Sequence, residues 1–184
     1  MQLLIIGMAI FVGIHLIPSA PNFKASLLGR FGEDGYKRIY SLLALAGLGM
    51  IIYGKAVASY NPVWYPPIWS RHLVWAMMLP ALILIVAANV PGNVKRLTPH
   101  PMMWAVSIWA IAHLAANGDK ASIILFAPLL AFAAIHIVSA NSRGAQVQSE
   151  KLPLTADLKV VIIGIAVYVV LLFAHPFLFK VSAL

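Results

Sequence analysis

The chain has 184 residues, of which 62% are hydrophobic and only 10% charged, with a mean hydropathy of +0.91. Soluble domains carry roughly 45–50% apolar and about 25% charged residues, so this composition excludes disorder, a soluble α/β enzyme and a disulfide-built secreted module. With no Cys, thiolate metal sites, covalent haem attachment and cysteine nucleophiles are excluded as well.

The apolar content matches about six spans of roughly 20 residues each. The expected fold class is therefore an all-α integral membrane protein, a bundle of about six transmembrane helices forming one domain over residues 1–184. The first span covers 2–17 and is poorly flanked for a signal peptide, since no basic segment precedes it. The basic stretch 22–38 follows. Its Phe23, Leu27, Leu28 and Phe31 recur at helical spacing, which predicts a short helix lying in the interface.

Span two covers 39–59, and the loop after it carries Pro62, Pro66 and Pro67 among Tyr60, Trp64, Tyr65 and Trp69, a headgroup-layer composition. Span three runs over 71–90 and span four over 102–117; only Gly118, Asp119 and Lys120 separate span four from span five, which ends near residue 140. The polar stretch 141–157 precedes span six, which runs to about 179. Gly7 and Gly13 in span one, and Gly47, Gly49 and Gly54 in span two, are packing positions. Pro80 and Pro128 inside spans three and five predict kinks with space beside them.

The net charge of +8 and pI near 10.0 do not argue for nucleic acid, because the cations are scattered among apolar runs. The loops after spans one, three and five hold nine of the 13 Lys and Arg residues: Lys24, Arg30, Lys37, Arg38, Lys95, Arg96, Arg143, Lys151 and Lys159. Lys55, Arg71, Lys120 and Lys180 fall on the other side. The positive-inside rule then places the basic loops in the cytoplasm and both termini outside.

The five acids, Glu33, Asp34, Asp119, Glu150 and Asp157, all lie near span ends or in loops, so no carboxylate pair stands inside a span to relay protons or cleave peptides. No HExxH, GxSxG, Walker or Rossmann pattern occurs. Six histidines remain, all in or beside spans, where an ionisable side chain is costly and marks a site. The assigned topology puts His15, His100 and His136 toward the cytoplasmic face and His72, His113 and His175 toward the outer face. His113 is the deepest. Trp109 and Ala110 share its stripe, an aromatic wall with a gap beside it, which suits a flat macrocycle held by a neutral imidazole. Each histidine also has a plain reading as an interhelical hydrogen-bonding residue, and Trp109 as a packing residue. Arg71, Lys95 and Arg96 suit haem propionates, Arg71 on the outer side and the other two on the inner.

The segment 96–119, RLTPHPMMWAVSIWAIAHLAANGD, resembles the NnrU family of bacterial membrane proteins. The likeness extends over the chain: a first span ending in His15, GRFGEDGYKRIYSLLALAG at 29–47, the proline-tryptophan loop ending in Arg71-His72, and PGNVKR before His100-Pro101. The resemblance implies a link to denitrification and, through the related 15-cis-ζ-carotene isomerase, a non-covalent b-type haem. It points to His15 and His113 as axial-ligand candidates, with His72 the rival partner and His100 and His136 also matching recurrent histidines. The isomerase has a Cys where this chain has Ala110, so a thiolate ligand swap cannot operate here.

Three readings result. The first is a haem-b membrane protein acting in redox or nitrogen-oxide metabolism, or in isomerase-like chemistry on an apolar substrate, with a membrane redox partner. The second is a non-enzymatic assembly partner of a reductase. The third is an intramembrane S-adenosylmethionine-dependent methyltransferase. It rests on Arg96 and His100-Pro101 and is weakened because Met102, Met103 and Trp104 follow and no Glu-Glu pair exists.

Overall fold

The computed structural model describes residues 1–179, so Lys180 of the charge count lies outside the described residues. Six long helices account for the fold: α1 (Gln2–Leu16), α2 (Pro21–Ala56), α3 (Ser70–Asn89), α4 (Pro101–Ala116), α5 (Lys120–Ser142) and α6 (Leu154–Phe179). Short 3-10 turns at Ile17–Ser19 and Asn93–Arg96 follow α1 and α3.

Proline and local capping set several of these boundaries. Pro21 and Pro101 begin α2 and α4 in the first turn, where the missing N–H costs nothing. Asp119 caps α5, its carboxylate accepting the Ser122 N–H at 3.0 Å. α3 and α5 continue through Pro80 and Pro128. α2 is broken at Gly32 (φ 68°, ψ 173°), a backbone conformation open essentially to glycine alone. The break separates residues 21–31, a short helix that falls within the stretch 22–38 where one was expected, from the long helix after it. The helix that carries span two therefore begins before residue 39, with the exposed Glu33–Lys37 pair on its first turns.

Five of the six helices are long and apolar enough to cross a membrane, α1 only together with its 3-10 turn (Gln2–Ser19, 18 residues); α4, with 16 residues, is shorter. At 1.5 Å per residue α4 spans about 24 Å, against a hydrocarbon core of about 30 Å.

The helices pack in the order α2–α1–α5–α4–α3–α6, with α2 also touching α5. Leu4 and Met8 of α1, Ile51 of α2, and Ala121 and Leu129 of α5 form one buried cluster, onto which Val106 and Trp109 of α4 pack. Val86 and Ala87 of α3 with Val160 of α6 form a second. The outer helices leave large apolar side chains uncovered, among them Leu42 and Leu45 of α2 and Val170 and Phe173 of α6. Such faces are at home in lipid and unfavourable in water.

Small residues make the close approaches. A Cβ on Gly54 would stand 2.5 Å from the Leu4 backbone nitrogen, and one on Gly7 2.9 Å from the Gly47 carbonyl oxygen. Gly13 and Gly49 face open space, so only three of the five glycines expected to pack do so.

The connections alternate between two ends. At one end the loop after α2 pairs with the loop after α4, through Val63 N–H to Gly118 O (2.7 Å) and Lys120 N–H to Asn61 O (2.9 Å). At the other, Gln148 N–H bonds Lys95 O (2.9 Å), and Ser139 Oγ donates to Ser19 O (3.0 Å). The loops after α1, α3 and α5 thus gather together, and α4 runs from one end to the other despite its length.

Candidate functional site

The histidines divide between the two ends. His72 opens α3, and His113 lies on the last turns of α4, at the end that carries the loops after α2 and α4. His113 and His175 are within electrostatic range of each other. At the opposite end, His136 is within electrostatic range of His100 and Arg143, and Phe132 lies between His15 and His136 with ring centroids 6.1 and 6.0 Å away.

The helical backbone fixes the tautomers of the two leading candidates. His113 Nδ1 donates to the Trp109 carbonyl at 2.9 Å, and His15 Nδ1 to the Phe11 carbonyl at 2.6 Å. A carbonyl only accepts, so Nδ1 carries the proton and Nε2 of each neutral ring keeps its lone pair. Both rings are half-buried among aromatics. His113 lies 4.8 Å from Phe126 and 5.8 Å from Trp109; His15 lies 4.1 Å from Phe11 and 5.4 Å from Tyr40.

The pair are not neighbours on α5. Their reference rings, Phe126 and Phe132, are six residues apart, about 9 Å along the helix. Ala110 is fully buried, so the gap expected beside Trp109 is filled by packing. His72 is exposed on α3, its ring edge-on to Trp75 at 5.0 Å, and its neighbour Arg71 is exposed as well. Buried His100 donates from Nε2 to Asn141 Oδ1 at 2.7 Å and so ties the start of α4 to the end of α5.

The fit to a haem is testable on these side chains. The donor set is imidazole without thiolate, in a largely apolar setting with aromatic walls, which is the chemistry of non-covalent haem ligation. His136 Nδ1 is shielded from solvent and has no hydrogen-bond partner, an orphaned donor or acceptor of the kind a ligand or water satisfies. The residues fit the group one by one. No cluster of three or more His, Cys, Asp or Glu able to hold a bare metal ion occurs among the described residues.

One polar cluster escaped the sequence reading. Lys55, at the end of α2, donates to Asp119 Oδ1 (3.1 Å) and Ser122 Oγ (2.7 Å), and Ser122 Oγ donates to Asp119 Oδ2 (2.5 Å). Asp119 is 7% exposed and Ser122 1%. Burial pushes the Asp119 carboxyl up, but the Ser122 hydroxyl and N–H and the Lys55 ammonium outweigh it and hold the group below its ordinary value. An acid just before an apolar run is a legible helix cap. Its cationic partner, 64 residues away, is not.

No curated protein and no solved structure matches the chain significantly. The family model for NnrU protein matches residues 3–183, nearly the whole length. Its histidine-bearing helices are those of an integral membrane bundle, and the chain belongs to the NnrU family.

Proposed function

We propose that the protein holds b-type haem on intramembrane imidazoles and acts in redox or nitrogen-oxide metabolism linked to denitrification. The observation that carries this reading is the anchoring of His113 and His15 through Nδ1 to the carbonyl one turn back, which turns a lone-pair Nε2 outward from each helix in a half-buried aromatic setting. Such a second bond fixes ring orientation and raises basicity, and it selects the tautomer that coordinates iron. Bound haem would supply one-electron exchange and a coordination position for a small ligand such as nitric oxide.

The protein's own groups do the rest. Phe11, Phe132 and Tyr40 around His15, and Trp109 and Phe126 around His113, exclude water and restrict the rings. Because the two imidazoles stand at different levels, the geometry favours their serving separate groups, with His136 nearest the His15 end and His175 nearest the His113 end. Arg71 at the His72–His113 end, and Lys95 and Arg96 at the other, are the cations available to propionates. Isomerase-like chemistry on an apolar substrate is the variant of this reading in which the same ligands serve a bond-rotating enzyme.

The charge asymmetry orients the bundle, with the loops after α1, α3 and α5 in the cytoplasm and both termini outside, in a bacterial inner membrane. The deciding experiment is the absorption spectrum of protein purified from haem-replete cells. A Soret band that shifts on dithionite reduction is expected, with part or all of it lost in His113→Ala and His15→Ala and retained in Gly49→Ala. A colourless protein overturns the reading; a full, unaltered band in His15→Ala, His72→Ala and His113→Ala overturns the ligand assignment.

A further inference from the structure

At the end that gathers the loops after α1, α3 and α5, the turn Asn93–Arg96 and the start of α6 border a cavity of about 370 Å³, lined by Asn93, Val94, Arg96, Leu97 and Asp157. Asp157 holds the turn in place. Its Oδ1 accepts the Asn93 N–H at 2.6 Å, and its Oδ2 accepts the Asn93 side-chain amide at 2.7 Å. Asn93 in turn bonds the Leu152 backbone on both sides of its own amide, at 2.9 Å each.

All of these partners are neutral, so the carboxylate keeps its charge, and each oxygen keeps a lone pair to spare. Arg96 lines the same cavity, yet among the described residues it forms no ion pair with Asp157. Opposite charges sharing so small a space ordinarily close into a bidentate pair. Here the two line one cavity without pairing, so the opening presents a cation from the turn and an anion from α6. Leu97 in the lining is 84% exposed, and Leu154 and Leu158, within a turn of Asp157 along α6, are 79% and 58% exposed. Polar groups of both signs beside bare aliphatic side chains, at the end of a membrane bundle, match a lipid headgroup and the first carbons of its chains.

We propose that this cavity binds the headgroup of an aminophospholipid, a primary ammonium joined to a phosphate diester. The ammonium bonds Asp157, the phosphate bonds Arg96, and the acyl chains lie along Leu97, Leu154 and Leu158. An anionic headgroup without an amine leaves Asp157 facing phosphate, and a quaternary ammonium has no proton to donate to the carboxylate. The site uses none of the histidines, and it takes Arg96 for the lipid phosphate, which leaves Lys95 as the cation for a propionate at this end.

Native mass spectrometry of the full chain in detergent, titrated with phosphatidylethanolamine, phosphatidylglycerol and phosphatidylcholine, tests it. Phosphatidylethanolamine is expected to be retained most strongly, with retention falling about tenfold in Arg96→Gln. Asp157→Asn keeps an oxygen for the Asn93 N–H, gives up the bond from the Asn93 side-chain amide, and is expected to lose the preference for the primary amine while still binding all three lipids through Arg96. Equal retention of the three lipids, or undiminished retention of phosphatidylethanolamine in Arg96→Gln, overturns the proposal. Full displacement of the lipid by free phosphoethanolamine overturns its assignment to a lipid.

Discussion

An imidazole on an apolar helix has one partner always in reach, the carbonyl of the preceding turn, and His15 and His113 both use it. The sequence therefore made these side chains legible as candidates, since nothing polar lies nearby on their own helices. Counting along the assigned spans also set them at different levels, whereas the rings that surround each depend on how α1 and α4 are set against α5. The same holds for Asp119, which is visible as a cap, while its ion pair depends on α2 ending beside the start of α5. Since the folded Asp119 carboxyl is held low, the stability it contributes is complete above the unfolded carboxylate value, about 3.9, and is lost as pH falls through the lower folded value. The thermal unfolding temperature in detergent is expected to fall on acidification through that range. Asp119→Asn removes this titration and leaves Lys55 without its counter-charge, so it is expected to be less stable at pH 7 by about 1–3 kcal/mol and to show a shallower acid limb.

The α1–α2 pairing turns on glycines, and composition alone did not tell the packed ones from the idle ones. Gly54→Ala places a methyl group against the Leu4 backbone, and an overpacked seam costs about 1–3 kcal/mol. Gly49→Ala meets nothing and relieves a helix-interior glycine, so it is expected to be neutral or stabilising by about 0.5–1 kcal/mol. Denaturation of the two variants in parallel checks the contrast. Gly32 carries the bend of α2, and Gly32→Ala is expected to cost about 1–3 kcal/mol through backbone strain alone, because no neighbour stands within 4 Å of an added Cβ. The short helix before that bend was readable from Phe23, Leu27, Leu28 and Phe31; the bend itself was not, since Gly29 and Gly35 are equally permissive in sequence and only Gly32 is used.

At the scale of the molecule, the alternation of loops gives a direct test. The chain has no Cys, so single cysteines can be introduced without a background. Gln146→Cys and Thr98→Cys are expected to react with an impermeant thiol reagent only from the cytoplasmic side, and Asn61→Cys only from the outside. Reaction of Gln146→Cys and Asn61→Cys from one and the same side would refute six crossings, and a full inversion would refute the charge-based orientation. The apolar composition, the spacing of polar breaks and the lack of acids inside the spans were enough to fix the class as an all-helical membrane bundle, because the bilayer leaves few ways to satisfy a backbone within it. Which helices touch, which glycines they use, and that Lys55 meets Asp119 while Arg96 stays apart from Asp157, were decided by tertiary structure. Each joins side chains on different helices, and no periodicity along one helix records its distance from another.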